Sequence, residues 1–494
     1  SFGCSSIEMT HCQCLAVAAW LLGSLLLADA AEQHDGPCDL AIVGAGVGGA
    51  YAAWRSASAG YSVCVFELAN RPGGRIHSLR GMGPKKDLVV EAGAYRFTAT
   101  NVCNEEFQWC INTPITREIV KELQLHAAIY DPDPTSWDHD MRKLVDSDGN
   151  DAGYLTLPES LLTAAIAKGA RVQYGSRVTG LFVNNQGGVN VQLASGVTCA
   201  ASAVLLNIPQ GPLLELLRHS GEEFQKEYAE ALYSPTSFDI MKLYVHYEDA
   251  WWRNYLGLTS GPFSSEISPN SSAPEESPAA HQWHQEPVPL KGQYHDGNVR
   301  CDLPDGKCRG YLQAYYANTG VEFYKLYHPL GSSDAALELH SNSTEHSHLL
   351  KAIHQALLQL HAKELAKANA TEKVSRMLPD SGVLSIWRDT VDGINAGCHM
   401  PKLGNHPAPG NVTAEALQPF PTLPVYVANE AYGPFHCWAE GSLNMSHRVL
   451  ERLGVPLQPL REQWVEPRFP NPPFDPFLLP RKHTRPASIA SLVV

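Results

Sequence analysis

No stretch of this sequence is apolar for long enough to cross a bilayer. The best candidate, Leu15 to Leu27 (LAVAAWLLGSLLL), falls well short of the roughly 20 residues a spanning helix needs, so no stable membrane span is expected. Basic residues are also scarce. Lys and Arg number 37 against 51 Asp and Glu, for a net charge of −14. That balance argues against a nucleic-acid backbone or an anionic membrane as the main partner, because like charges repel. No internal repeat is present, and no cysteine spacing matches a zinc motif, so no metal is expected. What remains is a soluble globular composition, 44% hydrophobic and 18% charged over 494 residues. That length exceeds one ordinary domain and suggests two interleaved ones.

The short apolar run ends in Ala28-Asp29-Ala30, an A-x-A cleavage signature, so residues 9–30 read as a secretory signal peptide starting at Met9. Five sequons, at Asn270, Asn342, Asn369, Asn411 and Asn444, are compatible with a secreted, glycosylated product. Cleavage after Ala30 would leave nine of the 12 cysteines, an odd number, with at least one outside intrachain disulfides. Cys103/Cys110 and Cys301/Cys308 are near enough in sequence to bridge. Connectivity beyond that stays open.

Asp39 to Val43 is a buried-strand pattern that enters Gly44-Ala45-Gly46-Val47-Gly48-Gly49. A small-residue helix pattern follows from Ala50 to Ala59, then a second strand from Tyr61 to Phe66 that closes on Glu67. This is the βαβ context in which G-x-G-x-x-G binds a dinucleotide. Gly44 permits the tight turn, Gly46 lets backbone approach a pyrophosphate, and Gly49 allows close helix–strand packing. The phosphates face a helix N-terminus, and Glu67 can accept hydrogen bonds from a ribose. Farther on, Ala170–Tyr174, Val178–Asn184 and Val189–Leu193 read as a β-meander, and Ala203–Asn207 as a strand returning to the nucleotide domain. Residues 260–310 read as a Pro/Ser/Gly-rich surface insertion and Leu349–Ala368 as a helix. Leu423–Ala428 reads as a last buried strand, and the tail from Pro459 is proline-rich.

Glu67 to Arg75 (ELANRPGGR) resembles the E-x-x-x-R-x-G-G-R signature of the flavin monoamine oxidase superfamily, which implies FAD rather than NAD. There Arg71 or Arg75 would offset pyrophosphate charge beside Gly74. Three further segments extend the resemblance. Glu91–Phe97 (EAGAYRF) is similar to the family's loop near the flavin ring, Lys242 with Trp252 to its flavin-facing lysine segment, and Val425–Glu430 with Trp438–Ser442 to its C-terminal flavin signature. The resemblance implies a two-dinucleotide-binding, Rossmann-like α/β FAD domain with an interleaved mixed α+β substrate domain. The FAD domain would comprise 37–99, 170–233 and 421–456, with 100–169 a helical segment, 234–420 the substrate domain and 457–494 a tail.

Roles are carried over on the same terms. Lys242 and Trp438 would be catalytic, Lys242 in proton handling and Trp438 in shaping the substrate slot. Gly93, Ala94, Tyr95, Arg96, Val178, Glu430 and Ala439 would join the glycine loop, Glu67 and the two arginines in holding FAD. Arg96, Trp438 and His399 would contact substrate, and Arg96 matches the arginine that grips the α-carboxylate in L-amino acid oxidases. Asn429 departs from the glycine usual in this segment. Cys398 stands near where monoamine oxidases attach FAD, although a plain core cysteine is the simpler reading. The expected reaction is oxidation of an L-amino acid to an imine and then a 2-oxo acid, releasing ammonia and hydrogen peroxide, with oxygen as acceptor. The alternatives are a monoamine or polyamine oxidase and a flavin-binding protein without catalysis; a homodimer is left open.

Overall fold

The computed structural model describes residues 36–104, 109–226, 230–265, 288–303, 305–318, 321–328, 335–388, 397–401 and 409–460. The signal-peptide reading, sequon Asn270 and most of the proline-rich tail lie outside these residues. Two sheets organise what is described. The first has Arg171–Gln173, Val63–Phe66, Cys38–Val43 and Thr198–Leu206 side by side and parallel. Its strands are nearly continuous apolar runs, as a sheet covered on both faces requires. Thr198–Leu206 then serves two partners along one edge. Its first half pairs antiparallel with Val189–Leu193, and Val204 to Leu206 pair parallel with Val425–Val427.

This corrects the meander reading. Arg171–Gln173 does not continue into Val178–Val183 as a neighbour but sits at the opposite side of the sheet, beyond Val63–Phe66. Alternation along the chain cannot distinguish the two placements. Helices Val47–Ser58, Thr156–Ile166 and Ala439–Arg452 pack over this sheet, whose core includes Ile42, Val65, Leu205 and Val427.

The second sheet is antiparallel, in the order Pro262–Ser264, Lys291–Gln293, Arg309–Ala317, Ile240–Tyr247, Ser381–Trp387 and Ala336–His340. Helix Thr344–Leu360 buries Leu349, Leu350, Ile353 and Leu357. It breaks at His361 before Ala362–Lys367, dividing the single helix the periodicity suggests. The stretch 260–310 is also more than a surface insertion. It contributes strands to this sheet, a Cys301–Cys308 disulfide and the buried pair His295 and Asp296. Cys103 and Cys110 are register partners in a short hairpin.

Among the described residues no helix is long and apolar enough to cross a membrane. Asn342 and Asn369 are exposed. Asn444 is 5% exposed inside helix Ala439–Arg452, which removes it from the sequons a glycan could occupy on the folded chain.

Candidate flavin site

The two sheets meet across a cleft of about 480 Å³ whose wall carries Gly44, Gly46, Glu67, Gly74, Arg75, Gly93, Ala94, Val178, Lys242, Glu430, Trp438 and Ala439. The size lies within the about 300–1,000 Å³ of small-molecule clefts. Residues drawn from six separate stretches of sequence thus converge on one surface.

At one end two helices point their N-termini into the cleft. Helix Val47–Ser58 starts after Gly46 and Ala439–Arg452 after Trp438, and neither has a side chain capping its free N–H groups. Such ends favour anionic oxygens. Close packing explains the glycines. Gly44 has φ +101°, and a Cβ there would come 2.4 Å from the Asn207 carbonyl; at Gly49 it would meet the Gly44 carbonyl at 2.0 Å. Gly49 therefore serves packing rather than the cleft wall. Glu67 accepts the Ala45 N–H at 2.6 Å and the Ala69 N–H at 2.8 Å, fixing the loop and the second strand to each other. Gly73 donates to the Ala45 carbonyl at 2.9 Å, so the R-P-G-G-R turn lies directly on the glycine loop.

Within that turn the two arginines part ways. Arg71 donates to the carbonyls of Pro72 and Gly74 and is not on the cleft wall, so its work is to brace the turn. Arg75 is on the wall. It pairs with Glu430 and donates to the Gly397 carbonyl at 3.0 Å. Glu430 also accepts from His399 Nδ1 at 2.6 Å and from the Cys437 N–H at 2.9 Å. Burial works against its charge, but Arg75 and His399 outweigh burial and hold the carboxyl far below its ordinary value. His399 is fully buried behind Glu430 and off the cleft wall. Asn429 has an extended backbone, φ −137°, with its Oδ1 accepting the Ala431 N–H at 2.9 Å. No glycine is needed there. Cys398 is bonded to Cys437, a pairing that replaces both earlier readings of it.

Lys242 lies on the central strand of the second sheet and is 2% exposed. Its Nζ donates to the carbonyls of Gly93 at 2.7 Å and Glu91 at 3.1 Å. Three neighbours grip the same turn: Tyr244 donates to Glu91, while Ser385 and the Trp387 indole donate to Ala92. The second sheet is therefore anchored to the E-A-G turn by five hydrogen bonds. Burial lowers the Lys242 pKa to about 7, opposed by the charges of Asp296 and Glu91. A neutral amine has two N–H groups, enough for both carbonyls, and keeps a lone pair.

Two aromatic walls were not identified from the sequence. Tyr316 is the register partner of Lys242 across the sheet, and both line the cleft. Trp387 lines it too. Pairing register, which sequence periodicity does not reveal, was the missing signal. Tyr316 and Trp438 pack against a cluster formed by Tyr95, Val102, Tyr130 and Met141.

Behind that layer sits Arg96, off the cleft wall with Tyr95. Its Nη1 is 2.8 Å from Asp138 Oδ1, and its guanidinium lies 4.7 Å from the Tyr95 ring centroid and 5.2 Å from that of Tyr130. His295 bridges Asp138 at 3.2 Å and Asp131 at 3.3 Å. Burial opposes the charge on His295, yet Asp138 and the neighbouring aspartates raise its pKa. In this state Arg96 belongs to a buried ionic cluster, one ring removed from the cleft wall.

Comparison with known proteins agrees with this geometry. Residues 42–107 match an NAD(P)-binding Rossmann-like domain, and residues 110–303 match the flavin containing amine oxidoreductase family. Over residues 110–303 the chain is thus similar to the flavin containing amine oxidoreductases. Two solved structures of putrescine oxidase, the wild type bound to putrescine and a cofactor-binding double mutant, superpose with TM-scores of 0.52. Sequence identity is 14% in each case. They cover 84% and 85% of this chain and 99% of their own, so the fold is shared. Aplysianin-A of Aplysia kurodai is 34% identical over 99 residues, which are 20% of this chain and 16% of that protein. The matched stretch thus spans about a sixth of that relative.

FAD is the cofactor that these two matches imply, and the residues present fit it. Two uncapped helix N-termini and Gly46 suit the pyrophosphate, Glu67 the ribose, and the slot between Lys242 and Trp438 a planar ring system.

Proposed function

We propose that the chain is an FAD-dependent oxidase that converts the C–N bond of a small amine to an imine. The carrying observation is Lys242, whose Nζ is buried on the cleft wall, tied to the Gly93 and Glu91 carbonyls and flanked by Tyr95 and Tyr316. When bound, FAD supplies the two-electron acceptor, and oxygen regenerates it with release of hydrogen peroxide. The protein's part is positioning, desolvation and proton handling. Tyr316, Trp387 and Trp438 exclude water from the slot. Lys242 in its free-base form accepts a proton there, which matters because the substrate must react as the neutral amine.

The ionic cluster favours a substrate without an α-carboxylate. Arg96 is already matched by Asp138, and three aspartates, 131, 138 and 296, gather behind the slot. A second reading, oxidation of an L-amino acid, draws on the position of Arg96. It lies across one ring from the slot, since Tyr95 contacts Arg96 on one side and Lys242 Nζ, 3.6 Å from its centroid, on the other. Turnover would then require the substrate carboxylate to displace Asp138. A peroxide assay over twenty L-amino acids, tyramine, putrescine and spermine separates the two. Peroxide with amines alone supports the first reading, peroxide with amino acids alone the second, and silence throughout rejects oxidase activity. Secretion through the signal peptide is proposed as well, tested by finding mature chain in the medium of expressing cells.

A further inference from the structure

Cys38, Cys64 and Cys199 are free thiols, all buried. They begin or lie within three different strands of the first sheet, yet their sulfurs all fall within 4.8 Å of one another. Cys199 Sγ is 3.9 Å from Cys38 Sγ and 3.9 Å from Cys64 Sγ. We propose that these three side chains form a binding site for one thiophilic d10 metal ion, Zn(II) or Cu(I), separate from the FAD cleft.

The spacing suits such an ion. With metal–sulfur bonds of about 2.3 Å, three thiolates around one centre stand roughly 4 Å apart. Two of the three separations have this value without any movement of the strands. Small buried cysteines commonly pack as ordinary apolar side chains, but that does not account for the fourth member of the group. Arg171 donates to Cys64 Sγ at 2.9 Å, and its guanidinium also reaches the carbonyls of Gly36 and Pro37. Three thiolates leave a net charge of −1 around Zn(II) and −2 around Cu(I), so a neighbouring guanidinium offsets the excess. Soft sulfur donors select these ions over magnesium or calcium. Binding releases the remaining thiol protons and needs no oxidant.

The site was hidden from linear motif reading because its ligands come from positions 38, 64 and 199, brought together only by parallel strand pairing. It also lies at the far end of the sheet from the cofactor. Cys38 opens the strand whose last residue, Val43, reaches the cleft wall, and five steps of about 3.3 Å separate them. The flavin spectrum is therefore an internal control for folding.

The test uses the FAD-loaded full chain, reduced, stripped with chelator and reloaded with one equivalent of Zn(II), or of Cu(I) under anaerobic conditions. Metal content after gel filtration is compared between wild type, Cys64→Ser and Cys199→Ala. We expect about one ion per wild-type chain and at least roughly ten-fold less in either variant, each keeping its flavin spectrum. Binding of only Zn(II) or only Cu(I) identifies the ion and supports the site. Retention of metal by both folded variants overturns it. So does wild-type chain that binds neither ion, or a disulfide between any two of the three cysteines found by peptide mapping of non-reduced protein. Should a variant lose its flavin, protection of three thiols from alkylation by added metal in wild type decides, and absence of protection counts against the site.

Discussion

Lys242 Nζ lies 2.7 Å from the carbonyl oxygen of Gly93 and 3.6 Å from the centre of the Tyr95 ring, so one amine joins the second sheet to the flavin-side turn. Its substitution by an isosteric apolar side chain should therefore separate chemistry from assembly. In Lys242→Met we expect kcat/KM to fall by about 10²-fold or more, the scale of a lost acid–base group. The other three donors to residues 91 and 92 keep the turn in place. Steady-state kinetics together with flavin content measures both, and a variant with normal turnover would remove Lys242 from the chemistry.

The pH profile carries the same residue's signature. Burial places its pKa at about 7, so the amine is protonated below that value and a free base above it. Activity is expected to rise with pH through about 7, with that inflection absent from whatever rate remains in Lys242→Met. An unchanged inflection in the variant would assign it to the substrate instead.

Glu430 predicts an acid limit to stability. Arg75, His399 and the Cys437 N–H all depend on its charge. Its folded pKa is depressed, so its contribution is whole above its unfolded value of about 4.3 and is lost as pH falls below that toward the folded value. Thermal melts should show wild type losing stability steeply on acidification from pH 5. Glu430→Gln should be less stable by about 3 kcal/mol at neutral pH, as expected for breaking a buried ion pair. Its melting temperature should vary less over the acidic range.

Cys398 cannot form a thioether to FAD while it is bonded to Cys437. Denaturation of the non-reduced protein should release all its flavin, measured by filtration and absorbance. Flavin retained with the polypeptide would contradict this.

The ionic cluster makes Arg96 a question of stability as much as specificity. Arg96→Met would leave Asp138 buried without its cation and should cost about 3–5 kcal/mol. If Arg96 grips no substrate, the KM for an amine substrate in the surviving folded fraction should stay near that of wild type. A selective rise in KM for amino acids would restore the carboxylate role.

How far the site was legible depended on the kind of information each residue carries. Gly44, Glu67, Gly74 and Ala439 sit in short contiguous motifs whose backbone demands are local, and they occupy the cleft wall. Tyr316 escaped notice because its role follows from pairing with Lys242 across 74 positions of sequence. Arg71, Arg96 and His399 show the converse limit. A motif can identify an arginine or histidine without showing which carboxylate or carbonyl it meets, and Pro72, Asp138 and Glu430 decided those roles. The position of Arg171–Gln173 was likewise a matter of topology, since the same alternating pattern suits a meander or a parallel neighbour.

The most direct test of the central claim is anaerobic mixing of purified, FAD-loaded protein with putrescine, spermine, tyramine and the L-amino acids, followed by absorbance in the flavin band. The account predicts that at least one amine bleaches the band, that air restores it with stoichiometric peroxide, and that Lys242→Met bleaches at least about 10²-fold more slowly. A wild-type flavin band untouched by every substrate would contradict it.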